Sequence, residues 1–343
     1  MPLRDEIFQQ PDVLDSLLKD QRQELEKIAE EMGRPKNIFI AARGTSDNAA
    51  RYAKYVWGAR NRIPVTLAAP SLFSVYQTPP QLEDYLVVGI SQSGESPDLI
   101  AVLKEANRQG CSTLAITNKV ESPLAQEADQ VIDILAGPEL SIAASKTYTA
   151  QLAVIAGLSA IWGQDQTTYD QLCCIPDQIR QVLGREEEIK VYASRYRYME
   201  QCVVLGRGFN YATAYEWSLK MKELAYVVAQ PYSSADFLHG PIALVSSGFP
   251  VFAVVTNGEV YQELANLITR LKENHQADIF LISDQDDLLK LSDCPLSLPQ
   301  GIPEWLSPLV TIVPAQLLSY HLTINKGFDP DAPRGLQKVT LTH

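Results

Sequence analysis

Two polar, glycine-bearing turns recur along this chain at one fixed spacing, and they constrain its fold more than any other feature. Each turn closes a short apolar run and opens a helical pattern. Gly44 in the first turn is matched by Gly208, 164 residues later, and Gly94 in the second by Gly258, again 164 residues later. A third pair of strand ends, Asn118 and Asp284, is offset by 166. A shared offset across three strand ends reads as an internal duplication.

The apolar runs from Asn37 to Ala41, Val65 to Ala68, Tyr85 to Ile90, Ser112 to Thr117 and Gln130 to Leu135 read as strands. Cys202 to Leu205, Pro250 to Val255 and Asp278 to Ile282 read as strands of the second copy. Helical patterns lie between most of them. That alternation predicts an α/β fold of two tandem, doubly wound parallel sheets of flavodoxin-like type. Ligands in such folds sit beyond the carboxyl ends of the strands, where the polar turns fall. Residues 4–32 carry Ile7, Val13, Leu14, Leu17 and Leu18 at amphipathic helical spacing. Residues 141–160 predict a helix that is polar at its start and apolar afterwards. Residues 163–198 are polar and charged, including Arg185-Glu186-Glu187-Glu188, and read as a helical connector. The expected organisation is a helical segment over 1–34, a first domain over 35–165, a linker over 166–198, a second domain over 199–330 and a tail over 331–343.

A length of 343 residues suits two domains, and a formal net charge of −12 argues against a general nucleic-acid or anionic-membrane binder. No apolar run reaches the roughly 18 residues of a membrane span, and the polar opening, Met1 to Asp20, does not look like a signal peptide. The five cysteines lack metal-ligand spacing, which predicts reduced thiols in a cytoplasmic protein. His239, His275, His321 and His343 are too scattered for a local metal site. Gly206-Arg207-Gly208 continues without a third glycine, so a nicotinamide or flavin site has poor support. The expectation is a chain that uses neither metal nor cofactor.

The run Ser91-Gln92-Ser93-Gly94-Glu95-Ser96 carries the clearest chemistry. It joins a strand to a helix with Pro97 in its first turn, and a helix N-terminus offers N–H groups and partial positive charge. Ser91, Ser93 and Ser96 add hydroxyl donors, and Gly94 allows close backbone approach. Without a lysine, such a loop suits a sugar phosphate better than a nucleoside triphosphate. The second copy has Thr256-Asn257-Gly258-Glu259 in its place. The first copy is therefore the expected phosphate binder. Glu216, Lys220 and Glu223 fall at i, i+4 and i+7 on one helix face. By spacing alone they read first as an ordinary surface ion pair between Glu216 and Lys220, with Glu223 solvated.

Motifs in order along nearly the whole chain resemble the tandem sugar-isomerase (SIS) family, as found in the isomerase half of glucosamine-6-phosphate synthase. They are Glu6-Ile7-Phe8-Gln9-Gln10-Pro11, Arg43-Gly44-Thr45-Ser46, the serine loop, Ala143-Ala144-Ser145-Lys146, Leu205-Gly206-Arg207-Gly208, Glu216 with Lys220 and Glu223, Leu238-His239-Gly240-Pro241, and Pro333-Arg334-Gly335-Leu336-Gln337-Lys338. Two departures separate this chain from the synthase. It begins Met1-Pro2-Leu3 and enters the isomerase part directly, so no glutamine-derived ammonia is expected. Arg43 also stands where the synthase motif usually has cysteine. An A-R-G-T-S-D turn is similar to that of stand-alone SIS-type glucosamine-6-phosphate deaminases, which yield fructose 6-phosphate and ammonia.

The resemblance implies Glu223 as the proton shuttle between C2 and C1, with Lys220 holding its polar network. It implies His239 as the ring-opening residue, supplied across the interface of a homodimer. It implies Lys338 at the substrate carbonyl, either as a Schiff-base amine or as a group that steadies the open chain. Ser91, Gln92, Ser93 and Ser96, with Thr45 and Ser46, are the expected phosphate ligands. Ser145 is expected at the sugar hydroxyls, and Arg43 reads as a strand-end ion pair. The alternatives are a synthase-like isomerase fed with ammonia, a deglycase of another amine-linked sugar phosphate, and a non-catalytic sugar-phosphate sensor.

Overall fold

The computed structural model describes residues 2–338. Its strands are β1 (Asn37–Ala42), β2 (Val65–Leu67), β3 (Tyr85–Ser91), β4 (Thr113–Thr117), β5 (Gln130–Asp133), β6 (Gln201–Gly206), β7 (Val228–Ser233), β8 (Pro250–Val255), β9 (Asp278–Ser283) and β10 (Cys294–Ser297). They form two five-stranded sheets, ordered β2-β1-β3-β4-β5 and β7-β6-β8-β9-β10, with every pairing parallel. The second order is the first moved on by five strands, which is the duplication expressed as topology.

The chain divides into two compact units. One holds Gln9–Pro176 with residues 337–338, and the other holds Asp177–Leu336 with residues 2–8. In the first, Phe39, Ala41, Val87, Ala115 and Leu124 pack with Leu99, Val102 and Leu103 of the helix Pro97–Arg108. The helix Lys146–Trp162 is buried along nearly its whole length and contacts the helix Gly44–Asn61. In the second, Val203, Leu205, Val251, Ala253, Ile279 and Leu281 pack with Leu264, Ile268 and Leu271 of the helix Tyr261–His275. Trp217 is fully buried, with its ring centroid 5.3 Å from Phe252 and 5.6 Å from Phe280. Sheets covered on both faces produce continuous apolar strands, which is why the central ones were legible in the sequence.

The edge strands β7 and β10 were not. Both carry a proline (Pro231 and Pro295), which is tolerated only where no ladder donor is needed. Residues 4–32 form two helices, Pro2–Asp20 and Arg22–Met32, parted at Gln21. The helix expected over 141–160 begins only at Lys146. Residues 163–198 form the helices Gln166–Cys173, Ile175–Leu183 and Glu186–Arg195. No helix among the described residues is long and apolar enough to cross a membrane.

Phe252→Ala removes the ring that stacks on Phe280 at 5.6 Å and meets Trp217 edge-on. The expected cost is about 3–5 kcal/mol of unfolding free energy, read from denaturant midpoints. A loss below about 1 kcal/mol would contradict a close-packed aromatic centre.

Candidate functional site

The serine loop leaves β3 and enters the helix Pro97–Arg108, with Ser96 at the N-cap and Pro97 inside the first turn. Its shape is set from within. Ser91 Oγ accepts from the Gly94 N–H at 3.0 Å, and Ser93 Oγ accepts from the Glu95 N–H at 3.3 Å. Gly94 has φ +62°, and a Cβ there would lie 2.0 Å from Ser122 Oγ, so only glycine fits. Parallel pairing of Ala42 with Ile90 sets the first turn beside this loop. Ser46 is 7% exposed, and its Oγ accepts from Gln151 Nε2 at 3.1 Å. A serine hydroxyl has one hydrogen to give. Ser46, Ser91 and Ser93 each accept from a protein donor, and none donates to a protein acceptor among the described residues. Three hydroxyl hydrogens at one sheet edge, beside a helix N-terminus, suit an anion. Gln92 and Ser96 in the same loop, and Thr45 in the first turn, are partly exposed.

The second copy differs at the same place. Glu304 lies against both of its turns: a Cβ on Gly258 would be 2.3 Å from Glu304 Oε2, and one on Gly208 would be 3.8 Å from Oε1. Oε2 accepts from the Glu259 N–H at 2.9 Å. In the first copy, the corresponding Gly44 has nothing within 4 Å of its would-be Cβ. The chain's own carboxylate lies across the second pair of turns, whereas the first pair has Ser122 against Gly94 and open space at Gly44.

The unit with the serine loop also holds the tail lysine. Lys338 Nζ donates to Glu139 Oε2 at 3.0 Å and to the Ser141 carbonyl at 2.6 Å. The Glu139 side chain is fully buried. Its Oε1 accepts from the Ser145 and Thr147 N–H groups, at 3.0 and 3.2 Å, and its Oε2 accepts from Thr147 Oγ1 at 2.9 Å. This carboxylate caps the helix that starts at Lys146, which is why Ser145 sits at the N-cap and the 141–145 stretch is not helical. Glu139 and Gln151 both escaped the sequence reading. Glu139 stands six residues before the N-cap, outside any capping motif, and Gln151 lies within an otherwise apolar helix.

In the other unit, Glu216, Lys220 and Glu223 do share a face of the helix Tyr211–Ala225. Lys220 Nζ donates to Glu223 Oε2 at 2.6 Å and lies 3.4 Å from Glu216 Oε1. The Glu216 and Lys220 side chains are 0% and 2% exposed, against 23% for Glu223. Burial alone would lower the Lys220 pKa, but the two carboxylates outweigh it and hold it above its ordinary value of 10.5. A surface ion pair would not be buried like this, so spacing alone misjudged the environment. His239 ends the short helix Ser234–Leu238, with its backbone N–H on the Asp236 carbonyl at 3.1 Å and its residue exposed. Exposed Leu238 and Leu244 flank it. Arg43 is the ion pair expected of it, on Asp98. No group of three or more His, Cys, Asp or Glu side chains suited to a metal occurs among the described residues.

Gly94→Ala should force Ser122 aside and strain a positive φ, at a cost of about 1–3 kcal/mol. Ser122→Gly in the same chain should recover part of that loss, and denaturant melts would show no recovery if the clash is not the cause. Lys220→Ala removes the cation shared by two carboxylates, one fully buried, and should destabilise by about 3–5 kcal/mol at neutral pH. Folding raises the Lys220 pKa, so its contribution is whole below 10.5 and fades as pH rises through the higher folded value. Urea titrations near neutral pH measure it, and a loss under about 1 kcal/mol would place the pair in effectively aqueous surroundings.

A family model described as SIS domain matches residues 31–159 and again residues 197–326. The chain is 34% identical over 344 residues to the glutamine–fructose-6-phosphate aminotransferase (isomerizing) of Thermococcus kodakarensis, covering 97% of this chain and 56% of that protein. It spans about half the length of the curated relatives it matches. Among solved structures, the C-terminal domain of glucosamine-fructose-6-phosphate aminotransferase from Francisella tularensis matches with a TM-score of 0.87 at 29% identity, over 97% of this chain and 98% of that one. The glucosamine-6-phosphate deaminase of Thermotoga maritima shares the fold, with a TM-score of 0.72 at 23% identity over 96% of this chain and 100% of that one.

Proposed function

The chain belongs to the SIS domain family, and we propose that it is an enzyme of amino-sugar phosphates: a glucosamine-6-phosphate deaminase/isomerase that gives fructose 6-phosphate and ammonia. The observation that carries the phosphate part is the set of three serine hydroxyls, on Ser46, Ser91 and Ser93, that accept protein hydrogen bonds and keep their own hydrogens to donate. Gln92, Ser96 and Thr45 complete the ligand set. Glu304, which takes a loop N–H of the second copy, supports one phosphate per chain.

His239 opens the ring by moving a proton from the anomeric hydroxyl to the ring oxygen. The open chain has an aldehyde at C1 and an amine at C2. Glu223 takes the C2 proton, and the released electron pair forms a C1–C2 double bond as the C1 oxygen is protonated. Return of the proton to C1 leaves a ketimine at C2. Water adds there, the C–N bond breaks, and ammonia leaves with fructose 6-phosphate. Lys220 suits the shuttle, because its ammonium binds one oxygen of Glu223 and holds the carboxylate in place. Glu139 holds the Lys338 ammonium, which suits that lysine to steady the open chain at its carbonyl, while Ser145, fully buried beside it through its backbone N–H, keeps the role at the sugar hydroxyls that the family resemblance gives it. The exposed His239, flanked by Leu238 and Leu244, fits a homodimer in which one subunit lends its histidine to the other.

The curated relatives are aminotransferases, which favours the reverse direction as a second reading. Both directions are read in one assay pair: ammonia and fructose 6-phosphate from glucosamine 6-phosphate, and glucosamine 6-phosphate from fructose 6-phosphate with ammonium. The wild type should run the first. Glu223→Gln should lower its kcat by about a hundredfold or more while KM changes little. Turnover in neither direction would send the reading to another amine-linked sugar phosphate or to a sensor.

A further inference from the structure

The serine loop opens onto the N-terminus of the helix Pro97–Arg108, and the second residue of that helix is an aspartate. The Asp98 side chain is 1% exposed. One of its oxygens accepts from the Leu99 N–H at 3.0 Å, and the other takes both Nε and Nη2 of Arg43 at 2.7 Å. A carboxylate here has the sign of a phosphate and the same preference for the free N–H groups of a helix start. Buried, it is little screened by water or salt. Left alone, it would repel a phosphate held on the preceding loop.

Arg43 reaches it from the neighbouring strand. Ala42 pairs with Ile90, so Arg43 follows β1 beside Ser91, which ends β3. Two other ion pairs near the turns are more exposed than Asp98, and exposed charge counts for less. Glu95 (37% exposed) meets Lys119 (51%) at 2.7 Å, and Asp47 (32%) meets Arg51 (30%) at 3.0 Å. Asp98 is the buried one, and Arg43 is 48% exposed toward solvent.

We propose that Arg43 sets the charge of the phosphate site by neutralising Asp98, an inference that rests on the phosphate reading of the serine loop. Arg43 is a positioning residue in this role, acting on the ligand through the carboxylate it cancels. Binding then follows net charge. Asp98→Asn keeps the arginine and removes the opposing charge, so glucosamine 6-phosphate should bind about three- to tenfold tighter at low salt. Arg43→Ala exposes the phosphate to an unpaired carboxylate and should weaken binding about tenfold or more. The double variant removes both charges and should fall within about threefold of wild type. Because Asp98 is buried, the order of the variants should persist at high salt, with the differences only partly reduced.

A purely structural pair would weaken binding in all three variants, so the tighter Asp98→Asn protein is the telling result. Calorimetry with glucosamine 6-phosphate and with inorganic phosphate, in low and high salt, reads the series. If Arg43→Ala does not fold, the order of Asp98→Asn, wild type and the double variant still decides. Asp98→Asn weaker than wild type, or Arg43→Ala equal to it, would overturn the inference and leave the proposed function standing. A wild type that binds neither ligand would overturn both.

Discussion

A parallel sheet must be covered on both faces, and here that single constraint decides where chemistry can occur. In each unit, helices close over the two faces and leave the carboxyl edge of the strands to carry polar groups. Every candidate phosphate ligand of the first unit lies on a turn at that edge or on a helix beginning there. β1 and β3 are hydrogen-bonded neighbours, so their two turns are brought side by side without any long-range device.

Duplication produced two such edges, and they have parted ways. The first keeps three serines whose hydroxyls donate to no protein acceptor among the described residues. The second has a threonine, an asparagine and a glutamate in the loop, and Glu304 lies across it. A carboxylate on a loop N–H is a local answer to the same polarity that would attract a phosphate. The second unit instead uses a helix that buries a lysine between two glutamates. The two carboxylates hold the buried Lys220 ammonium above its ordinary pKa, although burial alone would lower it.

Glu139 shows how one buried charge can organise distant stretches of chain. It supplies the missing partners for the first N–H groups of the helix Lys146–Trp162 and receives the ammonium of Lys338, 199 residues away. The carboxylate is stabilised by both, and each is placed by it. The position of the tail lysine is thus tied to the start of a core helix, although nothing in the local sequence of either advertises the link.

Central strands, the repeat, the serine loop and the helical face of Glu216, Lys220 and Glu223 were determined by sequence alone, because each depends on local pattern: apolar runs, turn residues, period. The edge strands β7 and β10 were not legible, since their prolines and polar residues are acceptable only at a sheet margin that tertiary pairing creates. The burial of Lys220, the cap made by Glu139, the orientation of Ser46 by Gln151 and the choice of Asp98 as the partner of Arg43 were decided by the tertiary structure. Each joins residues that are far apart in the chain or depends on how deeply a group is buried, and neither property is encoded in spacing. A charged side chain reads alike on a surface and in a core, and only packing decides which of the two it meets.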